Sequence, residues 1–205
     1  MRVIEKDNYH VVHKPDNFHR VDDLDTTKWL TVLDTMTDKM WGEDPSRQEN
    51  FIVHRYTQTI PLVYDEKFVN PIKTKYYKIF ETSLMSLESL LSTHYGKGFT
   101  ARVILTKLKS KGAIPPHRDG GKCFELSHRV HIPLITNDEV FFTVGEETIV
   151  MRSGELWEIN NVGQTHSVVN KSDHDRVHLI IDWQPYNYKK ETQCRYMILD
   201  VRNVN

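Results

Sequence analysis

In RVHLIIDW, residues 176–183, every second side chain is apolar. As a strand, it puts Val177, Leu179, Ile181 and Trp183 on one face, and Arg176, His178 and Asp182 on the other. HRVHIPLI, residues 128–135, does the same, with Val130, Ile132 and Leu134 opposite Arg129 and His131. The apolar faces suit packing against helices. A face of arginine and histidine suits either solvent or a polar cavity inside a folded-over sheet. Two such strands, both flanking a histidine-rich region, favour the cavity.

Working outward, the same period-two pattern recurs from Phe99 onward in ARVILTKL, EVFFTV, ETIVM, ELWEI and HSVV. Val144-Gly145-Glu146-Glu147 has the composition of a tight hairpin connection. Seven or eight short strands with no helix between them predict a sandwich or jelly roll, not a parallel α/β sheet. The first hundred residues read differently. Trp29, Leu33, Met36 and Met40 recur at helical spacing, and a second helical stripe begins at Asn70-Pro71. It runs through Ile72, Tyr76, Ile79, Phe80, Leu84, Leu87 and Leu91, stopping near Gly96. TQTIPLVYD lies between them as a strand. The expectation is a mainly β chain, a double-stranded β-helix (jelly roll, cupin-like) with its N-terminal helices packed on one sheet. As one domain over 1–205, it would comprise a helical part with one or more strands (1–98), a jelly-roll catalytic core (99–186) and a C-terminal extension (187–205).

Composition narrows the function. Lys and Arg number 27 against 28 Asp and Glu, so no overall charge draws the chain to nucleic acid or to an anionic membrane. No apolar run approaches the ~18 residues of a membrane span. With only Cys123 and Cys194 and no apolar leader at its start, the sequence fits a reducing cytoplasm. Lys107, Lys109 and Lys111 read as a solvated face, and Trp157 as core.

AIPPHRDGG, residues 113–121, carries the chemistry. His117-Arg118-Asp119 spells the HRD of a kinase catalytic loop. That loop needs an Asn five residues past the Asp, and position 124 is Phe; nor is there a D-F-G. The other reading is two-thirds of a metal site. Two histidines and one carboxylate leave open positions on a metal such as the Fe(II) of non-haem oxygenases. His166, forty-nine residues after His117, opens a strand and can supply the third ligand. Arg176, ten further on, opens the next strand, where its planar fork suits a carboxylate.

PPHRDGG, RVHIPLI, SGELWEINN, THSVVN and DRVHLIIDWQP together resemble the aspartyl/asparaginyl β-hydroxylase family, which is similar to the bacterial free-proline hydroxylases. The resemblance covers about residues 100–186. It implies an oxygenase dependent on Fe(II), 2-oxoglutarate and O2 that hydroxylates an unactivated C–H bond and releases succinate and CO2. It makes His117, Asp119 and His166 the iron ligands and Arg176 the anchor of the distal carboxylate of 2-oxoglutarate. Arg129 and His131 match the family's Arg-x-His strand, whose side chains face the co-substrate. Some animal relatives have Gly where this chain has Asp119, so the full triad leans it toward the branch that modifies free amino acids. The expected partner is a small amino acid or a peptide. A protein Asp or Asn side chain is the alternative substrate. A non-catalytic cupin-like module that binds a small acid or a metal is the alternative of another class, but such a module has no need of carboxylate anchors.

Overall fold

The computed structural model describes residues 11–64 and 70–186, so the expected C-terminal extension at 187–205 lies outside the described residues. The chain opens with β1 (Phe18–Asp23), then α1 (Thr27–Leu33), α2 (Asp38–Trp41), α3 (Ser46–Asn50) and a single 3-10 turn (Ile52–His54). β2 (Thr57–Tyr64) and the two-residue β3 (Ile72–Lys73) precede the long helix α4 (Tyr77–Tyr95). Beyond α4 the chain is nearly all strand: β4 (Gly98–Leu108), β5 (Ala113–His117), the one-turn α5 (Lys122–Glu125), β6 (His128–Ile135), β7 (Val140–Val144), β8 (Glu147–Ile149), β9 (Glu155–Ile159), β10 (His166–Asn170) and β11 (Arg176–Pro185).

These strands form two antiparallel sheets, one ordered β1-β9-β6-β11-β4-β2-β3 and the other β5-β10-β7-β8. Strands distant in sequence lie side by side, and from β4 to β7 and again from β8 to β11 successive strands change sheet, the winding of a jelly roll. Alternation assigns the two faces of the larger sheet. Val103, Val130, Ile132, Val177, Leu179 and Ile181 pack outward into one core with Trp29 and Leu33 of α1 and Phe80, Leu84, Leu87 and Leu91 of α4. Trp29 stacks on Phe80 with ring centroids 5.4 Å apart. The inward faces meet the smaller sheet. At one end they close over a second apolar cluster that includes Leu108, Ile114, Phe142, Ile159 and Val168; elsewhere they carry the polar residues. Trp157 packs at the edge of this second cluster, edge-on to Phe18.

The helices depart from their predicted limits for local reasons. The first stripe is two helices, not one. Thr35 donates its hydroxyl back to Val32 O, and Thr37 turns extended to cap α2, accepting from the Met40 N–H. Met36 and Met40 still pack at the margin of the core. The second helix begins at Tyr77, because the residues after Pro71 are committed to the sheet. Ile72 and Lys73 pair with Tyr64 and Val63, and the Thr74 N–H donates to Leu62 O at 2.9 Å. Ile72 and Ile79, both expected on the buried stripe, are accordingly 66% and 48% exposed. Gly96, at φ +79, ends the helix where expected. AIPPH, despite its two prolines, is a strand. It lies at a sheet edge and pairs only with β10, so two prolines without N–H groups cost it no ladder on its free side.

Phe80→Ala removes the partner of Trp29 at the centre of the helix-to-sheet core. It should lower unfolding free energy by roughly 3–5 kcal/mol in urea titration; a loss below about 1 kcal/mol would mean that α4 adds little to the fold.

Candidate metal centre

The register of the smaller sheet sets two histidines face to face. In the antiparallel β5–β10 pair, His117 lies directly opposite His166, with an irregularity just beyond them. Their ring centroids are 4.2 Å apart. The Nδ1–H of His117 donates to Pro115 O at 2.8 Å, which fixes the tautomer and leaves Nε2 with its lone pair. Asp119, two residues past the strand end, is held by Asn161, which accepts from the Asp119 N–H at 3.0 Å and donates Nδ2 to its carboxylate at 3.0 Å. Asp119 Oδ2 comes within 3.9 Å of His166 Nε2. One ligand atom from each of His117, Asp119 and His166 lies within 4.8 Å of the others.

A second carboxylate holds this group from behind. Asp182 on β11, wholly buried, lies opposite Arg129 of β6 in the sheet register. Arg129 donates Nε and Nη2 to its two oxygens, each at 2.8 Å, and Arg102 of β4 adds Nε at 2.8 Å. The remaining nitrogen of Arg129, Nη1, donates to Asp119 Oδ2. Arg129, expected to face the co-substrate, is thus spent on Asp182 and Asp119, and its guanidinium also lies over the Phe124 ring. Asn161 continues the chain, its Oδ1 accepting from Lys14 Nζ at 3.3 Å.

Arg176, at the start of β11, is 1% exposed. Its Nη2 meets His178 Nδ1, its Nε has no partner, and no carboxylate among the described residues forms an ion pair with it. Both ring nitrogens of buried His131 lack partners, as does His178 Nε2. Buried polar atoms of this kind are normally satisfied, so a cluster of orphans on one inward face marks space for a polar ligand.

Residues 72–185 match the family model described as aspartyl/asparaginyl beta-hydroxylase. The chain belongs to that family. Membership makes it a hydroxylase that uses Fe(II), 2-oxoglutarate and O2. Among solved structures, an oxidoreductase of the 2OG-Fe(II) oxygenase family from Burkholderia pseudomallei aligns with a TM-score of 0.53 at 16% identity, over 64% of this chain and 69% of that one. A collagen prolyl hydroxylase of Paramecium bursaria Chlorella virus-1, in its 2OG complex, gives a TM-score of 0.55 at 8% identity, over 83% of this chain and 97% of that one. At these identities the likeness is one of fold. No curated protein matches the sequence.

The electrostatics of the hydroxylase fit a divalent cation with an anionic co-substrate. Burial, with the charge of His117 adding to it, lowers the His166 pKa to about 3, which keeps its ring in the neutral, metal-binding form. Burial raises the Asp119 carboxyl above its usual range, against the pull of the Asn161 hydrogen bond; a bound cation reverses that penalty. Burial brings Arg176 down to about 9, the mark of a guanidinium without a counter-ion. Sequence reasoning had placed Asp182 on the polar face without its role, which the register opposite Arg129 reveals. It missed Arg102, Arg47 and His54 altogether. His54, from the 3-10 turn, meets the His117 ring edge-on at 5.5 Å, and no spacing in the sequence connects the two.

His131 and His178 are held neutral by burial and then by the charge of Arg176, well below their usual pKa. The unfolded chain protonates them near pH 6.5, so it binds more protons than the fold does below that value. Their contribution is complete above about pH 6.5 and falls as pH drops, by up to about 1.4 kcal/mol per unit for each ring. Urea midpoints of the metal-free protein should therefore decline steeply from pH 7.5 to 5; a flat profile would mean that these rings are solvated.

Proposed function

We propose that this chain binds Fe(II) through His117, Asp119 and His166, and 2-oxoglutarate against Arg176, to hydroxylate a C–H bond of an amino acid or amino-acid side chain with release of succinate and CO2. The observation that carries the reading is Arg176: a fully buried guanidinium without an acidic partner among the described residues, on the same strand face as Asp182, which through Arg129 holds the donor Asp119. A structural metal site has no use for it; a dicarboxylic co-substrate does.

Iron and 2-oxoglutarate, once bound, supply the redox chemistry that divides O2 between succinate and the hydroxylated product. The chain supplies position and charge. Three protein donors leave the other coordination positions to co-substrate and O2. Arg129 and Asn161 hold the Asp119 carboxylate in place, and Pro115 O keeps the His117 ring turned. Arg176 offers Nε and its free guanidinium protons to the far carboxylate, with His131 and His178 at hand for further hydrogen bonds. The apolar cluster at one end of the jelly roll keeps water from the reacting centre.

Titration of 2-oxoglutarate into the anaerobic Fe(II) protein, followed by the metal-to-ligand charge-transfer absorbance, tests this. Arg176→Met should raise the 2-oxoglutarate requirement at least about a hundredfold, roughly 2.7 kcal/mol, with iron binding nearly unchanged. Equal affinity in wild type and variant would remove Arg176 from the site.

Asp119→Ala should instead weaken iron binding severely, because the charged ligand is lost, with coupled succinate formation falling alongside. Near-normal turnover of this variant at low iron would leave Asp119 a turn residue.

A further inference from the structure

One guanidinium beside the site has no place in this scheme. Arg47 lies on α3, before the stretch that matches the family. Its side chain reaches inward: Nη1 donates to Thr106 Oγ1 at 3.3 Å and Nη2 to His54 Nε2 at 3.1 Å. Thr106 is a buried residue of β4 that sits opposite His178 in the sheet. His54, whose ring meets that of His117, is kept neutral by burial and by Arg47 itself, its pKa lowered to about 2. Arg47 thus stands between the metal donors and the strand that pairs with β11. Its charge weighs on both His166 and His131.

Among the described residues, no carboxylate forms an ion pair with Arg47. The two carboxylates whose charge bears on it are already used, Asp182 by Arg102 and Arg129 and Asp119 by Arg129. A guanidinium has five N–H donors, and among the described residues two of those of Arg47 are engaged. Burial lowers its pKa to about 10. Around the site, the half-buried guanidinium of Arg47 joins those of Arg102, Arg129 and Arg176, facing the carboxylates of Asp119 and Asp182. Fe(II) and the 2-oxoglutarate dianion cancel each other in charge, so the loaded site keeps an excess of positive charge. Arg176 meets the co-substrate; Arg47 is left for something else that is negative.

We infer that Arg47 binds a free carboxylate of the substrate, so that the enzyme acts on an amino acid presenting that carboxylate beside the iron and discriminates against the corresponding amide. The inference rests on the oxygenase reading of the cavity and adds to it the class of substrate. A bidentate pair between guanidinium and carboxylate would use donors that now have no acceptor. An amide in the same place offers one neutral oxygen and brings its own N–H donors toward a cation.

The test uses the full-length, anaerobic Fe(II) protein saturated with 2-oxoglutarate. The twenty amino acids, L-aspartate and L-proline among them, are titrated together with their C-terminal amides, and L-asparagine and L-glutamine stand as side-chain amides. Binding is read as a change in the charge-transfer band and by calorimetry. At least one acid should bind about thirtyfold more tightly than its amide, about 2 kcal/mol. In Arg47→Met the acid should weaken to the level of the amide, while 2-oxoglutarate affinity stays within about twofold of wild type and the unfolding midpoint is kept. Arg47→Lys should restore part of the preference, because it retains the charge without the fork.

Equal binding of acid and amide by wild type, a preference that survives in Arg47→Met, or no response to any acid would overturn the inference. So would an Arg47→Met defect confined to 2-oxoglutarate, which would assign the residue to the co-substrate. Absence of the band itself when 2-oxoglutarate meets wild type would sink the oxygenase reading, and this one with it; a normal band without discrimination sinks only the role of Arg47.

Discussion

Asp182 is a carboxylate with no contact with solvent, and three N–H groups from Arg129 and Arg102 converge on it. Such a cluster adds little net stability compared with apolar residues of the same volume, yet breaking it costs about 3–5 kcal/mol, because a charge is then buried alone. What it provides is direction. With Nε and Nη2 fixed by the two oxygens of Asp182, the guanidinium plane of Arg129 cannot turn, and its last nitrogen points at Asp119. Asn161 holds the same carboxylate from the other side. Asp119 is therefore placed near His117 and His166 by the protein, before any cation arrives. The gain is pre-organisation: the cost of bringing a negative group beside two rings is met in folding and not at each binding event.

That clamp depends on the sheet. Asp182 and Arg129 are register partners on adjacent strands, and Arg102 pairs with Asp182 from the strand on the other side. A slip of one residue in β11 would turn Asp182, His178 and Arg176 toward α1 and α4, and Val177, Leu179 and Ile181 into the cavity. The apolar core beneath the helices and the polar site are thus two faces of one constraint. Burial of Leu179 and Ile181 in the core they share with Phe80 and Leu84 fixes the register, and the register aims the charges. The long helix α4 touches none of the clustered metal donors, yet it helps hold their geometry.

This is also why so much of the fold could be read from the sequence. Period-two alternation in β6 and β11 is a physical necessity where one face packs on helices and the other lines a polar space, so RVHIPLI and RVHLIIDW carry the architecture within them. Elements failed where local chemistry has two outcomes. Proline suits the first turn of a helix and also an edge strand; at Pro71 and in AIPPH the chain takes the sheet, because neighbouring backbone groups there have partners in β2 and β10. Threonine is tolerated within a helix and also breaks it, and Thr35 and Thr37 divide a stripe whose spacing reads as one helix. Among the site residues, His-x-Asp and the distal histidine are legible because strand ends impose their spacing. Arg47 and His54 are not, since a five-residue helix and a single turn have no periodicity to betray which way a side chain points.

The division has a consequence for how such a site can change. The strands from β4 to β11 and the turn after β5 supply the clustered donors, the clamp and Arg176, and all of them but Asp119, which Arg129 and Asn161 hold, are bound to a neighbour through register. The wall that carries Arg47 is of another kind. α3 has no buried residue of its own, so little apolar packing anchors it. Its polar ties to the barrel include those from Arg47 to Thr106 and His54. Short elements seated on a rigid sheet can vary without disturbing what lies beneath, and recognition residues concentrate there for that reason. The sheet sets how the reaction is run, and the short α3 that carries Arg47 can change without moving the strands that hold the donors.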